Sequence, residues 1–248
     1  MVTFSAYTNN GDRKVNEDSY GTAYRGASLC FVVADGLGGH GGGEIASRKA
    51  VDAVCNTFIE QGWSERFFES AFSRAQKEIL DEQELQHAPS RMKTTLVVLI
   101  LHEDRIHMAH IGDSRLYLFK DRRIKKRTID HSVPQMLALS GEIKDSDIRH
   151  HPDRNRLIRV MGFKGETPRY VVAEPIRLSG SQSFLLCSDG YWELIEEKEM
   201  EQCLAKAKSP EEWIEQMTAI VDQNGKRVEM DNNTCIAVWS RRKGLFGW

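Results

Sequence analysis

The chain has 248 residues, 40% of them hydrophobic and 28% charged, with a formal net charge of −2. That composition fits an ordinary globular chain able to bury a sizeable core, and the near-neutral balance argues against a dedicated nucleic-acid surface, which would show a basic excess. No apolar run reaches membrane-spanning length, and no linker, repeat or low-complexity stretch divides the sequence, so one domain over residues 1–248 is expected.

Residues 2–7 alternate as a first strand, followed by a polar turn over 8–12. Arg13, Glu17 and Asp18 then place one guanidinium and two adjacent carboxylates ahead of the run 29–34, whose Phe31, Val32 and Val33 read as a strand buried on both faces. A loop of small residues follows, Gly36 to Gly43 with His40 inside it. Helices are predicted over about 42–61 (Ala46, Ala50, Val54, Phe58) and 63–85 (Phe68, Phe72, Ala75, Ile79). Runs 94–101, 105–111, 115–119 and 123–127, joined by tight turns, form a meander. The basic cluster Arg122, Arg123, Lys125, Lys126 and Arg127 reads as the solvated face of its last hairpin rather than as a docking surface. Asp130-His131-Ser132 opens a short helix stopped by Ser140-Gly141, and 142–156 is an irregular excursion. Strands over 170–178 and 184–188, helices over 197–206 and 210–224, and a last strand over 235–239 complete the chain. Paired helices rather than single crossovers separate the strands, which favours antiparallel or mixed sheets with helices layered outside.

Five cysteines, an odd number with no C-x-x-C pair, read as small buried hydrophobes of a reducing compartment. Without a signal sequence at its start, the chain is expected to be cytoplasmic.

Two readings of the glycine loop compete. Gly36-x-Gly38-x-x-Gly41 satisfies the dinucleotide-binding pattern between a strand and a helix. That unit should continue into a second strand ending in an acidic residue, whereas here another helical segment follows, and Asp35 would repel a pyrophosphate. The alternative begins from a repetition. Asp35-Gly36 and Asp189-Gly190 both end apolar strands, Asp231 precedes the last strand, and Asp113 lies at a junction of the meander. Aspartates gathered on one sheet rim repel one another unless protonated or neutralised by a cation, and an all-oxygen ligand set favours Mg²⁺ or Mn²⁺ over Zn²⁺.

Asn16-Glu17-Asp18, Asp35-Gly36-x-Gly38-Gly39-His40, Thr94-Thr95, Gly112-Asp113-Ser114-Arg115, Asp130-His131-Ser132, Ser188-Asp189-Gly190 and Asp231-Asn232-x-Thr234 occur in that order. This series resembles the metal-dependent protein phosphatases of the PPM/PP2C family in their compact bacterial form. The resemblance implies an α+β fold, a four-layer αββα sandwich of two mainly antiparallel sheets flanked by helix pairs. It implies hydrolysis of phosphoserine and phosphothreonine on proteins at a binuclear Mn²⁺/Mg²⁺ centre, opposing a Ser/Thr kinase, by a monomer without nucleic-acid or membrane partners. By the same resemblance Asp35 bridges both metals, the Gly36 carbonyl ligates one, Asp189 and Asp231 complete the other, and Glu17 and Asp18 bind directly or through water. Arg13 holds the substrate phosphate with its planar fork, and Asp113 with Asp189 offers a third metal site.

The chain departs from the family in three places. Leu37 stands where animal members carry a His after the Asp-Gly as general acid. His40, three residues further on, is the candidate catalytic residue here, with ordering of the glycine loop as its alternative role. Glu193 stands where many relatives have an Asp that helps hold the third metal. Residues 132–168 correspond to the flap beside the active site, where substrate selection is expected. The segment 188–193 resembles that of short members linked to type VI secretion. The alternatives are a phosphoprotein-binding pseudophosphatase and the dinucleotide enzyme.

Overall fold

A computed structural model describes residues 1–37, 41–88, 91–165 and 167–241. Twelve strands are described: β1 (Val2–Asn9), β2 (Asp18–Arg25), β3 (Ser28–Leu37), β4 (Lys93–Thr94), β5 (Leu96–His102), β6 (Arg105–Ile111), β7 (Arg115–Lys120), β8 (Arg123–Arg127), β9 (Val171–Val172), β10 (Ile176–Arg177), β11 (Ser181–Cys187) and β12 (Asn233–Arg241). The α-helices are α1 (Gly43–Gln61), α2 (Phe67–Leu85), α3 (Val133–Ser140), the single turn α4 (Asp189–Trp192), α5 (Glu197–Lys206) and α6 (Pro210–Gly225).

The strands form two antiparallel sheets. One runs β1-β12-β11-β7-β8; the other runs β10-β6-β5-β3-β2, with β4 paired to β3 and β9 to β6. The alternation of β3 shows how the sequence builds the layers. Phe31 and Val33 point into the core between the sheets. Cys30, Val32 and Ala34 point the other way, against Ala46, Ala50 and Val54 of α1 and Phe72 and Ile79 of α2. A third core packs Trp213 and Met217 of α6 and Met200 of α5 on Tyr117, Leu185 and Ala237 of the other sheet. Three stacked cores make four layers, αββα, as the resemblance implies. The helix approach is close because α1 packs on a glycine: a Cβ at Gly21 would lie 2.5 Å from Val51 Cγ1.

Three expectations need correction. The polar segment 18–25 is a full edge strand: only Asp18, Ser19 and Ala23 are buried there, so it carries no apolar alternation to read. The predicted helix 63–85 begins at Phe67, since Trp63 caps the α1–α2 turn by stacking on His107 at 3.8 Å. The predicted strand 170–178 is two short pairings, β9 and β10, interrupted before Pro175. The dinucleotide reading fails on topology, because β3 is followed by two helices and its neighbours pair antiparallel. Among the described residues no cysteine is bonded to another and no helix is long and apolar enough to cross a membrane. His40 and the apolar tail 244–248 lie outside the described residues.

Candidate metal centre

Five strand ends meet at one rim. Asp18 opens β2 directly opposite Asp35 near the end of β3. The facing carboxyls of such a pair lie on one side of the sheet, where like charges destabilise the pairing. Asp189 follows β11, Asp231 precedes β12, and Asp113 leaves β6 toward β7.

The backbone beneath each carboxyl is tightly held. Asp35 N donates to Thr95 Oγ1 at 2.9 Å, and its carbonyl accepts from Thr95 N and Thr94 Oγ1, both at 2.8 Å. Gly36 N donates to the Glu17 carbonyl at 3.0 Å, and a Cβ at Gly36 would fall 2.2 Å from the Gly43 carbonyl oxygen. Only glycine fits there, which brings α1 against the Asp-Gly corner. Gly190 is equally confined, 2.2 Å from the Asn232 carbonyl oxygen on the same measure. Asn232 ties the rim together: its Oδ1 accepts from Glu17 N at 2.8 Å, and its Nδ2 donates to the carbonyls of Asn10 and Val15.

The electrostatics are one-sided. Burial pushes Asp18 up to about 7, with Asp189 and Asp231 adding to the shift and the Ser188 and Thr234 hydroxyls opposing it. Burial first, then Asp189, Asp18 and Asp113, raise Asp35 well above the usual carboxylate range. Asp113 is raised by burial and by Asp189, Asp130 and Glu193. Asp189 is raised by burial and Asp231, and shares a hydrogen bond with Asp35. Glu193 is pushed up to about 7 by burial and Asp189, against the pull of Arg154. Asp18 Oδ2 accepts from Ser188 Oγ at 2.7 Å, but its Oδ1 is buried with no hydrogen-bond partner. An orphaned carboxylate oxygen among mutually repelling carboxyls fits a hard divalent cation. Among the described residues no three acidic, histidine or cysteine side chains close on one point. The rim is therefore an open set rather than a finished cage, which suits ions that keep several waters.

Arg13 and Asp231 face the same cleft, joined at 2.8 Å, with Arg13 half exposed. The cleft, of about 640 Å³, is floored by Asp35, Gly36, Asp113 and Asp189 and bounded by Glu17 and Asp231. Its opposite wall carries Arg91, Lys93, Arg156 and Phe163, residues that sequence reading left without a role because no motif marks them. Glu193 is occupied by a flap residue: Arg154 Nε lies 2.9 Å from its Oε2. Arg13, Glu17, Asp35, Gly36, Asp113, Asp189 and Asp231 thus line this one cleft, and Asp18 is buried opposite Asp35 in the sheet.

The family profile described as protein phosphatase 2C matches residues 8–233. The serine/threonine phosphatase stp of Listeria monocytogenes is 32% identical over 204 residues, covering 79% of this chain and 80% of that protein. The crystal structure of the serine/threonine phosphatase Stp1 from Staphylococcus aureus superposes with a TM-score of 0.85 at 27% identity, covering 98% of this chain and 96% of the other. The structure of PppA, a regulatory component of the type VI secretion system in Pseudomonas aeruginosa, gives 0.76 at 26% identity, with 96% of each chain covered. The chain belongs to the protein phosphatase 2C family of metal-dependent protein phosphatases.

Proposed function

We propose that this chain hydrolyses phosphoserine and phosphothreonine on proteins, with Asp35, Gly36, Asp189 and Asp231 holding two Mn²⁺ or Mg²⁺ ions and Glu17 and Asp18 supporting them. The observation that carries the reading is the rim itself: buried carboxyls from separate strand ends, mutually raised, with an orphaned oxygen on Asp18. Ions bound there supply a nucleophilic hydroxide at neutral pH and positive charge against the phosphoryl oxygens.

The protein's own groups do the rest. Arg13, which faces the cleft beside Asp231, would pair two phosphate oxygens through its fork and align the ester for in-line attack. Thr94 and Thr95 fix the Asp35 backbone so that its carboxylate need not reorganise. Arg91, Lys93 and Arg156 on the far wall attract the anionic substrate. Asp113 offers a third, weaker site, and the Arg154–Glu193 pair competes with it by holding Glu193 on the flap.

We take the enzyme to act as a monomer, and five free cysteines suit the cytoplasm. A Ser/Thr kinase is the natural opposing partner, and the likeness to PppA supports a type VI secretion context.

The test is hydrolysis of p-nitrophenyl phosphate and a phosphothreonine peptide with Mn²⁺, Mg²⁺ or EDTA. Turnover of both substrates with metal, abolished by EDTA, is expected. Metal binding without turnover would identify a phosphoprotein-binding pseudoenzyme instead.

A further inference from the structure

A second groove, of about 400 Å³, opens in the side of the sandwich between the edge strand β8 of one sheet and β9 of the other. That volume is within the roughly 300–1,000 Å³ typical of binding pockets. It reaches the core between the sheets, where Met108, Leu116 and Leu118 form its floor. Its rim is apolar and exposed: Leu139 is 63% exposed, Met136 52%, Ile129 46% and Ile158 44%. Large apolar residues scattered singly mean little, but four around one opening into the core mark an interaction site.

The rim is also positively charged. Lys126 and Arg159 line the groove and form no ion pair with any described residue. The one acid in the lining, Asp130, is spent: it takes Arg115 through contacts of 2.7 to 3.2 Å and is almost wholly buried. His110 and His131, stacked at 4.8 Å, are both held neutral by burial, with Arg159 adding to the effect. The groove therefore offers apolar sockets beside uncompensated cations.

We propose that this groove docks a short segment of a partner protein that presents apolar side chains flanked by carboxylates. The charge selects that occupant over the chain's own tail, whose apolar residues follow Arg241, Arg242 and Lys243. The site is separate from the catalytic cleft yet shares the segment 156–160 with it. Arg156, Leu157 and Val160 face the cleft, whereas Ile158 and Arg159 face the groove. Ile158 N donates to the His131 carbonyl at 2.8 Å, and His131 Nδ1 accepts from Gly112 N, next to Asp113, at 3.1 Å. Docking here places a partner beside the flap without entering the metal rim.

The experiment is fluorescence anisotropy on the full chain with two labelled peptides. Both carry Leu at i, i+3, i+4 and i+7; one has Glu at the remaining positions, the other Lys. The Glu peptide should bind at least about tenfold more tightly than the Lys peptide, as expected where charge sets partner choice. Leu139→Glu and the double variant Lys126→Glu/Arg159→Glu should each weaken it about tenfold while leaving p-nitrophenyl phosphate hydrolysis unchanged. Binding is read without turnover, so the result stands whether or not the chain is an active phosphatase. Equal affinity for the two peptides, or affinity insensitive to both variants, would overturn the proposal. So would a gain in affinity in Phe246→Asp/Trp248→Asp, which would make the tail the occupant, or a dimer in sedimentation that Leu139→Glu dissociates.

Discussion

Two clusters of buried charge lie one strand apart and are built on opposite principles. In the first, Arg115 is 2% exposed, bonded to Asp130, donating to the Tyr117 hydroxyl at 3.0 Å, and stacked 3.4 Å over Trp192. Arg149 extends it, donating to the carbonyls of Trp192 and Ile195 and to Glu197. Every charge there meets its opposite, so the cluster is complete as folded. In the second, Asp18, Asp35, Asp113 and Asp189 repel one another across the rim, while Arg13 is paired to Asp231 and Arg154 to Glu193. The first set is architecture and the second is an incomplete site. The two touch, since Trp192 Nε1 donates to the Asp113 carbonyl at 3.0 Å. The closed cluster thus holds a corner of the open one.

Removing one charged group from each cluster should give opposite results. Asp35→Asn or Asp189→Asn should lower phosphatase kcat by about a thousandfold or more, the several kcal/mol expected of lost metal catalysis. The same variants should melt higher than wild type in EDTA, because a like charge has gone from the rim. Activity assays and scanning calorimetry in EDTA read the two effects. By contrast, Arg115→Met leaves Asp130 buried without its bidentate partner and should cost about 3–5 kcal/mol in urea unfolding, with metal present or absent. If Arg115→Met unfolded no more easily, the closed cluster would not be structural.

Legibility in the sequence followed the same division. Strand ends marked by Asp-Gly could be read because an apolar run, an acid and a glycine stand together, at Asp35-Gly36 and at Asp189-Gly190. The layers could be read from the spacing of residues such as Ala46, Ala50 and Val54. The edge strand β2 could not, because its buried positions, Asp18, Ser19 and Ala23, show no apolar alternation. Nor could the walls of the cleft: Arg91, Lys93 and Arg156 are ordinary surface cations in sequence, and it is the pairing of β4 with β3 and the return of the flap that bring Lys93 and Arg156 to the cleft. Glu193 was noticed as a departure from the family, but its partner Arg154 lies 39 positions away. The basic cluster around Arg122 to Arg127 is largely the solvated hairpin face expected, with Arg123 paired to Glu201 and Arg127 to Asp145, yet Lys126, beside the side groove, forms no ion pair with any described residue.

Smaller effects sharpen the contrast. Arg13→Ala should lower kcat/KM for a phosphothreonine peptide about tenfold to a hundredfold, consistent with the loss of one charge-assisted pair, while calorimetry shows Mn²⁺ still bound. The least of the four is a pH effect. A carboxyl whose folded pKa is raised contributes stability that is complete below its unfolded pKa and lost as pH rises through its folded one. With Asp18 and Glu193 raised to about 7, the melting temperature in EDTA should fall between about pH 4 and pH 7. Excess Mn²⁺ should flatten that slope by replacing protons at the rim. A metal-free melting temperature that rises through this window would contradict the one-sided charge of the rim.

The central claim is that the rim is a cation site formed by these carboxylates, and calorimetric titration of Mn²⁺ into metal-free protein at neutral pH tests it most directly. The account predicts two ions per chain at the wild-type rim, and one or none in Asp189→Asn. Absence of Mn²⁺ binding, or a wild-type isotherm in Asp189→Asn, would contradict it.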